Sequence, residues 1–285
     1  MFLLEQLLPA VALAGAVAAL LSALALRCEN ARFSRAAAVF LPAVAYAAGH
    51  FFVTGWTSFP PADTTNWLPY FGLAAAAIVS SACPLPSKTA RLAIFGLLCA
   101  GAMRLLLAPK FRYAWSAEEG WLQVVGLCAL VLLARVGFTL TKRRAPHPIE
   151  SPLLMVFLPA GTAVALMLSG SLLLGHFGFI LSAAHVGALL LFRRSEAFAG
   201  EAAAVFSLLH VSLLACGIFF SDLPATSAIL LALSPHLASL LERIVGSFVG
   251  KTPVPRRAGA LRLSAVAALV GVALFVALRS SPPWI

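Results

Sequence analysis

The sequence predicts an all-α protein: a polytopic transmembrane bundle of about ten helices, forming one integral membrane domain over residues 1–285. Three observations carry this. Of the 285 residues 61% are hydrophobic and only 11% charged, and mean hydropathy is +0.98. A soluble chain carries about 25% charged residues, so polar surface is too scarce to cover a water-facing globule. Apolar runs recur at the length a bilayer demands, about 20 helical residues for a hydrocarbon core of about 30 Å. The gaps between runs alternate between basic and nearly charge-free, as the positive-inside rule requires.

The ten spans follow in order. The first, 5–26, opens Met1-Phe2-Leu3-Leu4-Glu5, with an acid where a secretory signal has its basic region, so it reads as a retained helix. Cys28 follows Arg27 rather than a small residue, unlike a lipoprotein acceptor. The second, 36–54, follows Arg32 and Arg35. The third, 67–83, follows a Pro-rich loop, and the fourth, 91–108, begins at Arg91. The fifth, 119–138, follows the loop from Lys110 to Glu119. The sixth and seventh, 152–174 and 177–192, are separated only by Gly175-His176 with Gly178, which demands a very tight turn. The eighth, ninth and tenth are 200–220, 224–242 and 261–279. Several are near the short limit, so tilt or local thinning is expected.

With the amino terminus outside, the inner gaps and the span ends beside them hold 16 basic residues, among them Arg91, Arg135, Lys142-Arg143-Arg144 and Lys251 through Arg257. The outer side holds four: Arg104, Lys110, Arg112 and Arg279. All five Trp (Trp56, Trp67, Trp115, Trp121, Trp284) also fall outside, where indoles favour the headgroup level. This places the protein in a bacterial cell (inner) membrane with both termini outside the cytoplasm. Net charge is +10. The basic turns point to anionic lipid at the inner face as a partner, and no basic patch on a soluble domain points to nucleic acid.

Val39-Phe40-Leu41-Pro42-Ala43 recurs as Val156-Phe157-Leu158-Pro159-Ala160, and Gly49-His50-Phe51 echoes as Gly175-His176-Phe177. A four-helix offset would make the second to fifth and sixth to ninth spans parallel repeats. Five cysteines are scattered without a CxxC, so zinc-knuckle and thioredoxin-type sites lack their signature.

No Asp, Glu or Lys lies near the middle of any span, which disfavours coupling through buried carboxylates. Histidine remains at depth. His185, His210 and His236 fall on consecutive spans at nearly one level, each on a small or polar stripe: Gly178, Ser182, His185; then Ala203, Ser207, His210, Gly217; then Ala225, Ala228, Ala232, His236, Ser239. Residues three, four or seven apart share a face, and small-residue faces let helices pack closely. The stripes are therefore expected to turn inward, with His185, His210, His236, Ser182, Ser207 and Ser239 as candidate ligand-binding residues. The same residues also read as separate core groups bonded to Ser or to a carbonyl freed by Pro235. No cofactor is predicted; haem b or a metal at the histidines is the alternative.

A second candidate surface lies outside: Trp56, Asp63 and Trp67 in one loop, Arg112 and Trp115 in another. Cations beside aromatics suit an anionic headgroup, a phosphate or a sugar. The plain alternative is an interfacial loop, with Glu118 and Glu119 capping the fifth span and Asp63 with Thr64 capping the third. HExxH, P-loop and GxSxG motifs are missing.

The segment Trp56-x-x-Phe59-Pro60-Pro61-x-Asp63-x-Thr65-x-Trp67-Leu68 resembles one in uncharacterised bacterial multi-pass membrane proteins; it covers about a dozen residues and implies no activity. Ten spans in 285 residues also match the scale of drug/metabolite transporters, but that family usually keeps both termini inside, against the charge count. Three functions stay open: a transporter-like or permease-like protein for a small molecule or lipid, an accessory subunit packed against a membrane-protein partner, and a haem- or metal-binding redox protein.

Overall fold

The computed structural model describes residues 2–27, 31–81, 87–144, 150–192, 196–249 and 255–280. These form eleven helices and, among the described residues, no strand: α1 (Phe2–Arg27), α2 (Ala31–Thr54), α3 (Leu68–Ser81), α4 (Lys88–Leu106), α5 (Ala108–Tyr113), α6 (Ala117–Arg144), α7 (Glu150–Leu168), α8 (Leu172–Phe192), α9 (Glu196–Phe220), α10 (Ala225–Val249) and α11 (Pro255–Ser280). Eight are long and apolar enough to cross a membrane, and α10 holds a shorter apolar stretch, Ala225–Leu241. The chain is a multi-pass membrane protein. Cys28, Cys83, Arg193, Arg194, Lys251 and Trp284 lie outside the described residues. So do the side chains of Lys142, Arg143, Arg144 and Arg257 in the basic turns expected to face lipid.

The centre of the bundle is α9. It packs against α2, α3, α4, α6, α7, α8 and α10, and these seven close a ring around it in the order α2, α3, α4, α6, α10, α7, α8. Outside the ring, α1 lies on α2 and α8, and α11 lies on α10 and α7. Burial follows: 83% of the α9 span is buried, against 22% in α1 and in α11. The α9 sequence permits neighbours on every side because Ala202, Ala203, Ala204, Ser207, Ser212 and Ala215 spread small side chains around the helix. The outer helices use narrower stripes. On α1, Ala10, Ala14 and Ala18 are wholly buried, Gly187 of α8 closes on Ala18, and Ser22 Oγ donates to the Gly187 carbonyl at 3.1 Å.

Two boundaries differ from the sequence expectation. The turn between the sixth and seventh spans is Ser169-Gly170-Ser171, not Gly175-His176-Gly178, which lie inside α8. Gly170 takes φ +86°. The Ser171 N–H bonds the Leu166 carbonyl and the Gly170 N–H that of Met167, both at 3.0 Å. This is a Schellman stop, which needs glycine in the left-handed region. Gly175 and Gly178 instead bring α8 against Met167 and Ala163 of α7. The second difference is α5. Pro109 cannot extend α4 but suits the first turn of a new helix, so the loop begins with a helical elbow. At its far side, Ser116 and Glu119 form a capping box for α6, Glu119 Oε2 accepting from the Ser116 N–H at 2.9 Å. Asp63 Oδ1 accepts from the Thr65 N–H at 2.9 Å, capping the 3-10 turn Thr65–Trp67 that leads into α3.

Both Val-Phe-Leu-Pro-Ala copies sit inside helices, at Pro42 of α2 and Pro159 of α7. The Gly-His-Phe copies fall on non-equivalent elements, the end of α2 and the start of α8, and His50 of one stacks on Phe177 of the other at 4.0 Å.

Candidate functional site

The stripes on α8 and α9 both face α7. From α8, Ser182 Oγ donates to the Val156 carbonyl at 2.8 Å and Gly178 meets Ala163. From α9, His210 Nε2 pairs with Thr162 Oγ1 at 2.8 Å, and Gly217 meets Leu166. His185 and His210 share one aromatic neighbour: Phe206 stacks on His210 and stands edge-on to His185, each with centroids 5.1 Å apart. The His185 Nδ1–H donates to the Leu181 carbonyl at 2.8 Å, leaving Nε2 buried with no hydrogen-bond partner among the described residues. Ser207 Oγ is buried in the same condition.

The α10 stripe faces α6 instead. Gly137 of α6 closes on the backbone of His236, and Ser239 Oγ lies 3.2 Å from Thr141 Oγ1. Pro235 frees the Leu231 carbonyl, and Ser234 Oγ donates to it at 3.0 Å. The structure thus brings His185 and His210 around Phe206, with His236 at a different interface. Among the described residues no group of three His, Cys, Asp or Glu stands close enough to hold a metal ion. Among the described residues, the buried imidazole nitrogens without a hydrogen-bond partner are His185 Nε2 and His236 Nδ1.

The Trp-rich end of the bundle carries an open cavity of about 720 Å³. One wall is the loop after α2, through Pro61, Thr64 and Trp67; the other is the elbow between α4 and α5, through Arg104, Arg112 and Tyr113. The elbow turns Arg104 and Arg112 toward the same mouth. Arg104 lies over the Phe111 ring at 4.0 Å. Among the described residues neither arginine forms an ion pair with a carboxylate. Of the five outer residues expected from sequence, Trp67 and Arg112 line this cavity. Trp56 is 85% exposed, against Phe51; Asp63 is a cap; Trp115 packs edge-on to Phe219 at 5.1 Å.

Three functional-looking groups escaped the sequence reading. Thr162, three residues past Pro159, is a polar residue within a span, a signal available in the sequence. His50 was visible only as part of an echo. It is wholly buried, and its Nε2 lies 3.3 Å from Asn66 Oδ1, fastening the cavity's loop to α2. The third is a buried ion pair, Arg262 of α11 on Glu150 of α7 at 2.7 Å; residues 112 apart give no local sign of meeting.

Comparison with known proteins finds no protein family, no curated protein and no solved structure that matches the chain.

Proposed function

We propose that this chain is a permease-like protein of the bacterial cell membrane for an anionic amphiphile, a small molecule or lipid carrying a phosphate or carboxylate, received at the outer cavity. The observation that carries the reading is the cavity with two arginines that pair with no acid among the described residues. A guanidinium offers five donors in a fork that matches phosphate and carboxylate oxygens. Trp67 and Tyr113 add amphipathic ring surface for the apolar part of such a ligand. The charge asymmetry supports an orientation with this end and both termini outside.

Binding to the purified protein in detergent tests this. Short-chain phosphatidylglycerol is expected to bind about tenfold tighter than a diacylglycerol of the same chains, roughly 1.4 kcal/mol. The double variant Arg104→Ala/Arg112→Ala should lose that preference. Equal affinity for both amphiphiles, or a preference that survives the double substitution, would contradict the proposal.

A further inference from the structure

A second pair of arginines lies between α4 and α6, away from the outer cavity. Arg135 of α6 belongs to the apolar span Ala117–Thr141. Its guanidinium lies over the ring of Phe95 in α4 at 4.6 Å, and Phe95 is 1% exposed. Arg91 is one turn before Phe95, on the same face of α4, and within electrostatic range of Arg135. Two cations therefore lie on the α4–α6 seam around Phe95. Among the described residues no carboxylate pairs with either of them. α4 contains no acid, and the acids of α6, Glu118 and Glu119, occupy its first turn. Glu119 is 16 residues from Arg135 in sequence, roughly 24 Å along a helix.

Arg135 is half-buried, and its Nη1 is shielded from solvent without a hydrogen-bond partner among the described residues. Neither Arg91 nor Arg135 forms an ion pair there. A guanidinium inside an apolar span is costly, and such side chains pair with an anion or reach toward the headgroup level. The aromatic face of Phe95 supports the cation but supplies no acceptor for the Nη1 hydrogens. Phosphate oxygens would supply acceptors to both forks and relieve the repulsion between them.

We propose that Arg91 and Arg135 form a phosphate-binding site on the seam between α4 and α6. Arg91, in the first turn of α4, puts the site toward the bundle end opposite the outer cavity, which Arg104 lines at the other end of that helix; the site takes the phosphate of an anionic lipid headgroup or of a free phosphate ion. It does not depend on the outer cavity's role, because the two sites share no residue.

Native mass spectrometry of the full chain in mild detergent tests it with three probes: short-chain phosphatidylglycerol, the matching diacylglycerol, and inorganic phosphate. The unmodified protein is expected to retain phosphatidylglycerol at this site and not diacylglycerol. Arg135→Gln and, separately, Arg91→Gln should lower occupancy of one bound phosphatidylglycerol about tenfold. Arg104→Ala/Arg112→Ala should leave that binding event in place, so failure of either site is seen alone. Arg135→Lys, which keeps the charge and loses the fork, should retain binding at intermediate occupancy and shows that loss in Arg135→Gln is not misfolding. Retention of phosphatidylglycerol assigns the site to lipid; adducts with inorganic phosphate alone assign it to the free ion. Unchanged occupancy in both Gln variants, or equal retention of diacylglycerol, overturns the proposal.

Discussion

Glu150, the first residue of α7, and Arg262 of α11 show what a single buried charged pair does at a helix contact. Both side chains are almost fully buried, so removing one leaves a buried charge behind. Arg262→Met leaves the carboxylate without that partner and is expected to cost about 3–5 kcal/mol. Glu150→Leu/Arg262→Met removes both charges and should recover most of the loss, measured by thermal unfolding in one detergent. A double variant no more stable than the single would show that the pair is not what holds α7 to α11. The histidines teach the matching lesson about legibility. Their places within helices were readable from run lengths, because a residue far from both ends of an apolar run falls inside a helix. Their partners were not, because which helix a stripe meets is set by the order of helices around α9. His185 and His210 thus meet around Phe206, while His236 meets Gly137.

Glycine carries different meanings on different elements. In α8, Gly178 lies against Ala163, and an added Cβ would stand 2.8 Å from the Ala163 Cβ. In α4, Gly101 has nothing within 4 Å. Gly178→Val should therefore push α7 and α8 apart and destabilise by roughly 1–3 kcal/mol, the cost of overpacking. Gly101→Val should be tolerated, and comparable melting temperatures for the two would contradict the close α7–α8 contact. The same distinction explains the misplaced turn. Gly175 and Gly178 looked like breakers, yet glycine in an apolar span also serves close helix approach. Gly170, between two serines, was the true stop because only it supplies the left-handed residue. Most other helices were legible, since the bilayer fixes their length; α5 was not, because six residues leave no periodic signal.

At the scale of the whole molecule, seven helices ring α9 and two flank the ring. The all-α architecture was legible because apolar runs recur near the length of about 20 residues that a membrane-crossing helix needs. The central place of α9 was not, because an apolar helix facing lipid and one facing protein read alike. Orientation is open to direct test in a cysteine-free background. Ser116→Cys lies beside the outer cavity, and Ser87→Cys lies at the start of α4. A membrane-impermeant maleimide added to intact spheroplasts should label the first and spare the second; the reverse pattern would invert the topology. The most direct test of permease action is transfer across a membrane. Proteoliposomes containing the protein should move a fluorescent short-chain phosphatidylglycerol from one leaflet to the other faster than protein-free vesicles, and Arg104→Ala/Arg112→Ala should abolish most of the gain. Transfer no faster than in empty vesicles, or unchanged in the double variant, would contradict it.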